Sequence, residues 1–246
     1  MKGLLSIAVL AATAPPDLLF VSGNNNSYNN NHNNIDVSSI LDTSSSFATA
    51  TSDSTTNNQQ VAVDTPLGIV VGANSDPRFA TGQNNVDAFL GIQFGTIPAR
   101  FQKSHVVTTN DYTIERRHNE VQNGRTTTYI DALDFGPFCY QSIIMPWYKD
   151  QRQSEQCLYL NIWRPSGSSP SSNLSVMVFI HGGFNFEGSP QPPAWGHNLA
   201  REGNVMVISI DYRLGVFGFL ATDDKGTNGM NGLDDQGKQS RTGIRF

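Results

Sequence analysis

The run Val176-Met177-Val178-Phe179-Ile180 passes straight into His181-Gly182-Gly183, and Val205-Met206-Val207-Ile208-Ser209-Ile210 passes straight into Asp211-Tyr212-Arg213. Continuous apolar runs of this length, rich in β-branched residues, suit strands buried on both faces, as in a parallel sheet covered by helices. The intervening residues 190–203 predict a turn and a short helix with Trp195, Leu199 and Ala200 facing inward. Strand, crossover, strand is the repeating unit of an α/β fold, and that is the class these two runs indicate.

Upstream, the folded part opens near Val61. Val61-Ala62-Val63 and Ile69-Val70-Val71 flank Pro66-Leu67-Gly68, the pattern of a small antiparallel hairpin. Val86 to Ile92 reads as a further strand, and Leu158 to Trp163 as another that stops at Arg164-Pro165. Residues 103–131 are polar and irregular and read as a loop-rich insert, and Gly167 to Ser172 as a Ser/Gly/Pro loop.

The first 60 residues have a different character. Lys2 precedes an apolar stretch from Leu4 to Ala12, and Ala12-Thr13-Ala14 is a small-x-small cleavage pattern. Residues 1–23 are therefore expected to be a signal peptide, with a buried N-terminal helix as the rival. Pro15 is a poor first residue, which moves the expected cut towards Gly23. Eight of the eleven residues 24–34 are Asn, and Ser, Thr, Asn and Gln continue to residue 60. Such a tract buries too little apolar area to offset about 1–2 kcal/mol of ordering entropy per residue, so 24–60 reads as a disordered spacer. Asn25 and Asn173 each begin a glycosylation sequon.

Composition narrows the function. The chain has 246 residues, 16 Lys+Arg against 21 Asp+Glu, and a net charge of −5. A nucleic-acid binder would carry a basic stripe, so nucleic acid is not expected as a partner. No apolar run approaches the roughly 20 residues of a membrane-spanning helix, so no membrane span is expected. Two cysteines are too few for a thiolate zinc site, and neither a metal nor another cofactor is expected.

The motifs, taken together, resemble the type-B carboxylesterase/cholinesterase family of α/β-hydrolases. Val86 to Phe94 with Arg100-Phe101 resembles the family's FxGIPYA…RF opening, departing at Gln93 and Phe94. Phe135 to Gln141 resembles FGPxCxQ, and Ser154 to Ile162 resembles SEDCLYLNI with Gln156 in place of the acid. Phe179 to Ser189 resembles IHGGGFxxGS, Asp211 to Leu220 resembles NYRLGxxGFL, and Gly229 to Gln236 resembles GNxGLxDQ. Six motifs in the family's order imply an N-terminal part of an α/β-hydrolase. It would have a hairpin region and the first strands of a central, mostly parallel sheet, with a carboxylesterase domain over 61–246.

The resemblance assigns roles. The backbone N–H groups of Gly182, Gly183 and Phe184 would form part of an oxyanion hole, where glycine lets the main chain approach the substrate oxygen. Phe184 stands where the family has Gly or Ala, so its ring would crowd an acyl pocket or force another turn, unless the alignment shifts around Glu187. Cys139 and Cys157 fall on disulfide positions, closing a loop that the chain-entropy model values at about 3 kcal/mol; two free thiols are the alternative. Arg100 and Glu155 fall on an ion pair, and Arg213 on a pair whose acid would lie beyond residue 246. His181 is not expected to be the catalytic base, because in this fold the base follows the nucleophile. His105, His118 and His197 are expected to be structural or solvated.

No G-x-S-x-G nucleophile elbow occurs in the 246 residues, and no catalytic Ser, acid or His is assigned within them. From Gly237 to Phe246 the sequence leaves the family pattern and does not read as a helix. The run 205–210 would then be an uncovered sheet edge. Three readings follow. The first is the N-terminal portion of a secreted carboxylic-ester hydrolase acting on small-molecule esters, inactive as this stretch alone. The second is a non-catalytic, extracellular binding or adhesion protein of the same family. The third is a truncated or mis-spliced product without function.

Overall fold

β-branched and aromatic residues in short runs divided by Gly, Pro and Asn make this a strand-rich chain. The computed structural model describes residues 7–11, 60–74, 85–108, 110–111, 116–141, 152–191, 195–222 and 229–238. In chain order the strands are β1 (Ile7–Ala11), β2 (Gln60–Thr65), β3 (Gly68–Asn74), β4 (Val86–Gln93), β5 (Gly95–Thr96), β6 (His105–Val106) and β7 (Arg117–Gln122). They continue with β8 (Arg125–Asp131), β9 (Phe138–Cys139), β10 (Gln153–Ser154), β11 (Tyr159–Pro165), β12 (Val176–Ile180) and β13 (Met206–Ile210). The helices are α1 (Trp195–Gly203), α2 (Gly215–Phe219) and α3 (Asn231–Lys238).

Eight strands run in the order β1-β12-β13-β11-β4-β3-β8-β7, and β2 joins through β3 to make a nine-stranded sheet. β12 and β13 are parallel neighbours with α1 as their crossover, as the two apolar runs predict. The sheet is mixed rather than mostly parallel: β1, β12 and β13 run parallel, as do β3 and β8, while β11 is antiparallel to both β13 and β4. The expected hairpin of β2 and β3 forms, with Val63 opposite Val70.

Three expectations change. Residues 205–210 are not an edge: β13 lies between β11 and β12, and the outer neighbour of β12 is β1, with Val9 opposite Val178. The supposed loop-rich insert holds β6 and the β7–β8 hairpin. That hairpin turns at Asn123 (φ 52°) and Gly124 (φ 76°), two consecutive left-handed residues that match the twist of the flanking strands. α3 forms through Gly237 and Lys238, further than the sequence predicts. The proposed spacer lies outside the described residues except for Gln60, which opens β2; of the proposed signal peptide, only the β1 residues are described.

The core divides by the pleat of β4. Val86, Ala88 and Leu90 pack with Trp163, Val207 and Ala200 under α1. Phe89 and Ile92 face the main cluster with Ile130, Leu160, Ile162, Ile210 and Leu214. These two sit on one face although three residues apart, because the register with β11 shifts between Leu160 and Ile162, beside Gly91 at φ 68°. In α1 the described inward residues are Gly196, His197 and Ala200; Leu199 is exposed instead of inward, and the side chain of Trp195 lies outside those described.

Arg213 finds its acid within the chain. Its Nε lies 2.7 Å from Asp235 Oδ2 and its Nη2 2.9 Å from Oδ1, with both side chains buried. Ser104 also donates to Asp235, and Arg213 Nη1 donates to the Gln102 carbonyl at 2.6 Å. This pair fastens α3 to the strand-end segment 211–214. Removing one partner of a buried pair strands the other charge, so Asp235→Asn is expected to lower stability by about 3–5 kcal/mol in urea unfolding.

Candidate functional site

The glycine loop emerges from the C-terminal end of β12. Gly183 (φ 120°), Phe184 (φ 54°), Asn185 (φ 63°) and Gly188 (φ 139°) all adopt left-handed backbone. The Gly183 carbonyl accepts from the N–H of Phe186 at 3.0 Å and of Glu187 at 3.2 Å, which curls the loop back on itself. A Cβ on Gly183 would lie 1.8 Å from the Glu187 carbonyl oxygen, and one on Gly188 would lie 2.0 Å from His181 Nδ1. Both positions therefore demand glycine. Phe184 has no such exemption, and its left-handed conformation costs on the order of 1–2 kcal/mol. Nothing among the described residues covers its ring, which is 92% exposed, and Phe186 is 70% exposed.

Among the described residues none accepts a hydrogen bond from the N–H of Gly182, Gly183 or Phe184. Three successive main-chain donors at the end of a sheet strand thus have no acceptor among the described residues. The loop is held from beneath by Asp211, where β13 ends. Asp211 Oδ1 lies 3.2 Å from His181 Nε2 and accepts the Tyr212 N–H at 2.9 Å, while Oδ2 accepts the Cys139 N–H at 3.3 Å. Burial pushes the Asp211 carboxyl up, against the opposing hydrogen bonds from His181, Tyr212 and Cys139. The Tyr212 hydroxyl donates to the His181 carbonyl at 2.8 Å, and the two rings stack with centroids 4.4 Å apart. His181 is thus anchored at the end of β12.

Cys139 and Cys157 form a disulfide, with Cα atoms 4.9 Å apart. Arg100 and Glu155 form an ion pair at the surface, with side chains 59% and 27% exposed. Arg100 holds the Glu155 carboxyl below its ordinary range, but solvent screening leaves such an exposed pair little weight in stability. Asn173 is exposed in a left-handed turn after a single 3-10 turn, and Asn25 lies outside the described residues. His105 is exposed, His118 stacks on Tyr129, and His197 is buried in α1. Among the described residues no cluster of His, Cys, Asp and Glu could hold a metal.

Sequence reasoning named the loop and the bridge but missed Asp211 and Gln141 as their connectors. Gln141 accepts the Gly188 N–H at 2.8 Å and donates to the Gly188 carbonyl at 2.8 Å. Its only advance signal is its place two residues after Cys139 in the FGPxCxQ-like motif.

Desolvation, with the charge of Asp211 beside it, raises the Tyr212 hydroxyl from 10.0 to about 12. The native chain therefore holds this proton after the unfolded chain has lost it. The stabilisation is complete below pH 10 and is lost as pH rises towards 12, by about 2–3 kcal/mol in all. Tyr212→Phe is expected to flatten the decline of the urea midpoint across that window by this share. It also loses the hydroxyl bond to His181 at neutral pH.

Comparison with known proteins places this geometry in a family. The carboxylesterase family model matches residues 59–238. Bile salt-activated lipase of Rattus norvegicus is 36% identical over 185 residues, covering 71% of this chain and 27% of that protein. Neuroligin-2 of Mus musculus is 37% identical over 142 residues, covering 43% of this chain and 17% of that protein. Among solved structures, a thermophilic PNB esterase superposes with a TM-score of 0.54 at 33% identity, over 71% of this chain and 33% of that one. The chain thus spans about a quarter of the length of a relative such as the lipase. With its α/β-hydrolase sheet and its glycine loop at a strand end, the chain belongs to the carboxylesterase family.

Proposed function

We propose that this chain carries the oxyanion-stabilising portion of a carboxylic-ester hydrolase that acts on small-molecule esters. The observation that carries the reading is the row of N–H groups at Gly182, Gly183 and Phe184 that find no acceptor among the described residues. Donors preorganised in this way stabilise the negative oxygen that develops when a hydroxyl attacks an ester carbonyl. In the complete reaction a serine hydroxyl would add to the carbonyl carbon while a histidine takes its proton, and an acid would orient that histidine. Collapse of the tetrahedral intermediate expels the alcohol, protonated by the histidine, and leaves an acyl-enzyme that water hydrolyses. No G-x-S-x-G serine lies in the 246 residues, so the attacking group is not assigned to this stretch, and taken alone it is inactive on this reading.

Transplanting residues 181–189 into the thermophilic PNB esterase, in place of its corresponding loop, tests the role directly. The graft is expected to keep kcat/KM for an activated ester within about tenfold of the parent. Loss of one oxyanion donor costs about 10²–10³, so a drop of that size, not restored by Phe184→Gly in the graft, overturns the reading. That outcome favours the second reading, a non-catalytic binding protein. It is motivated by the similarity to Neuroligin-2 and by the two exposed aromatic rings, Phe184 and Phe186.

The same proposal places the protein in the secretory pathway, with residues 1–23 as signal peptide and the Cys139–Cys157 bridge formed in an oxidising compartment. Asn173 is exposed and begins a sequon, which makes it a glycan acceptor there. Secreted from a eukaryotic host, the chain is expected to run faster on a gel after treatment with an N-glycosidase, and part of that shift is lost in Asn173→Gln. An unchanged pattern in the variant removes the assignment.

A further inference from the structure

The glycine loop is closed at its far end by a side chain from a distant segment. Gln141 lies just beyond β9, and its amide grips both main-chain groups of Gly188: Oε1 accepts the N–H at 2.8 Å and Nε2 donates to the carbonyl at 2.8 Å. The same Nε2 reaches the Cys139 carbonyl at 3.3 Å, and the Gln141 N–H is held by Gln153 Oε1 at 3.1 Å. Gln153 belongs to β10, which pairs with β9 and leads directly to Cys157. The clamp is therefore mounted on β9 and β10, and the disulfide ties β9 to the segment that follows β10.

Gly188 in turn presses on the start of the loop. The position of a Cβ there falls 2.0 Å from His181 Nδ1 and 2.4 Å from the Gly182 carbonyl oxygen, so the loop's two ends lie against each other. Moving Gly188 moves Gly182. The left-handed conformations of Phe184 and Asn185 are unfavourable for L residues and persist only where both ends of the turn are fixed. One end is fixed by Asp211 and Tyr212 on His181. The other is fixed by Gln141.

We infer that Gln141 is the positioning residue of this loop: its amide clamp on Gly188 transmits the constraint of the Cys139–Cys157 bridge to the N–H groups at Gly182, Gly183 and Phe184. The catalytic meaning of the inference rests on the oxyanion reading above; its structural content does not.

Amide hydrogen exchange on the 246-residue chain tests it. Gln141→Met keeps the length and bulk of the side chain and removes both bonds. Exchange at Gly188, Phe186 and Glu187 is expected to quicken at least tenfold, with Val178 and Ile210 in the strands unchanged. Packing alone would instead shift all of these with global stability. Gln141→Glu is the second variant, retaining the acceptor for the Gly188 N–H and losing the donor. It is expected to leave Gly188 exchange between wild type and Gln141→Met. Reducing the disulfide is expected to quicken the same three amides in wild type and to add little in Gln141→Met, because the two changes act along one route. Unchanged Gly188 exchange in both variants overturns the inference, as does an equal effect of reduction with and without Gln141. Since nothing here is read from turnover, failure of this test and failure of the loop graft are separate results.

Discussion

The carboxylate of Asp211 is the constraint around which the rest is arranged. It is buried where β13 ends and accepts from two places remote in sequence, the Cys139 main chain and the His181 ring, and from the main chain of the adjacent Tyr212. A carboxylate removed from water is tolerated only while its donors stay in place. The end of β12, the end of β13 and the disulfide-bearing strand β9 are therefore obliged to meet at one point. The glycine loop begins at that point, so its origin is fixed by an electrostatic requirement of the core.

Much of this was legible in the residues. The unbroken apolar runs at 176–180 and 205–210 have no solvent-facing alternation, and they became adjacent parallel strands. The Pro66-Leu67-Gly68 turn announced the first hairpin. Asn123-Gly124 announced the second equally well, but the polar residues around it, Asn119 to Gln122 and Arg125 to Thr128, hid two strands whose faces are largely exposed. Period-2 burial is a weak signal when neither face is fully covered. Sheet order was not legible, because nothing local tells β11 that its neighbours will be β4 and β13.

At the site, the loop was readable because glycine is forced where a Cβ would strike the backbone. Its supports were not readable, because Asp211, Gln141 and Asp235 act across 30, 47 and 22 residues, and their residue types are unremarkable in isolation. The partner of Arg213 shows the same limit: Asp235 comes into reach only once α3 turns back onto the strand ends. Phe184 shows the reverse. Its identity suggested a blocked pocket, while its left-handed backbone sends the ring into solvent and leaves the main chain on the path that the glycines take.

β1 has a consequence for the life history of the protein. Ile7–Ala11 lies in the stretch proposed above as a signal peptide, yet it supplies the outer partner of β12 across five residues. On that proposed reading, cleavage at either expected cut would do more than shorten the chain. It would strip the hydrogen-bonding rim from Val176–Ile180, the strand that leads into the glycine loop, and a bare rim of that kind is a template for any extended polypeptide that reaches it. On the proposed reading of residues 1–23 as a signal peptide, export and sheet completion would be coupled, and whatever segment next lies along β12 would inherit the place that β1 vacates.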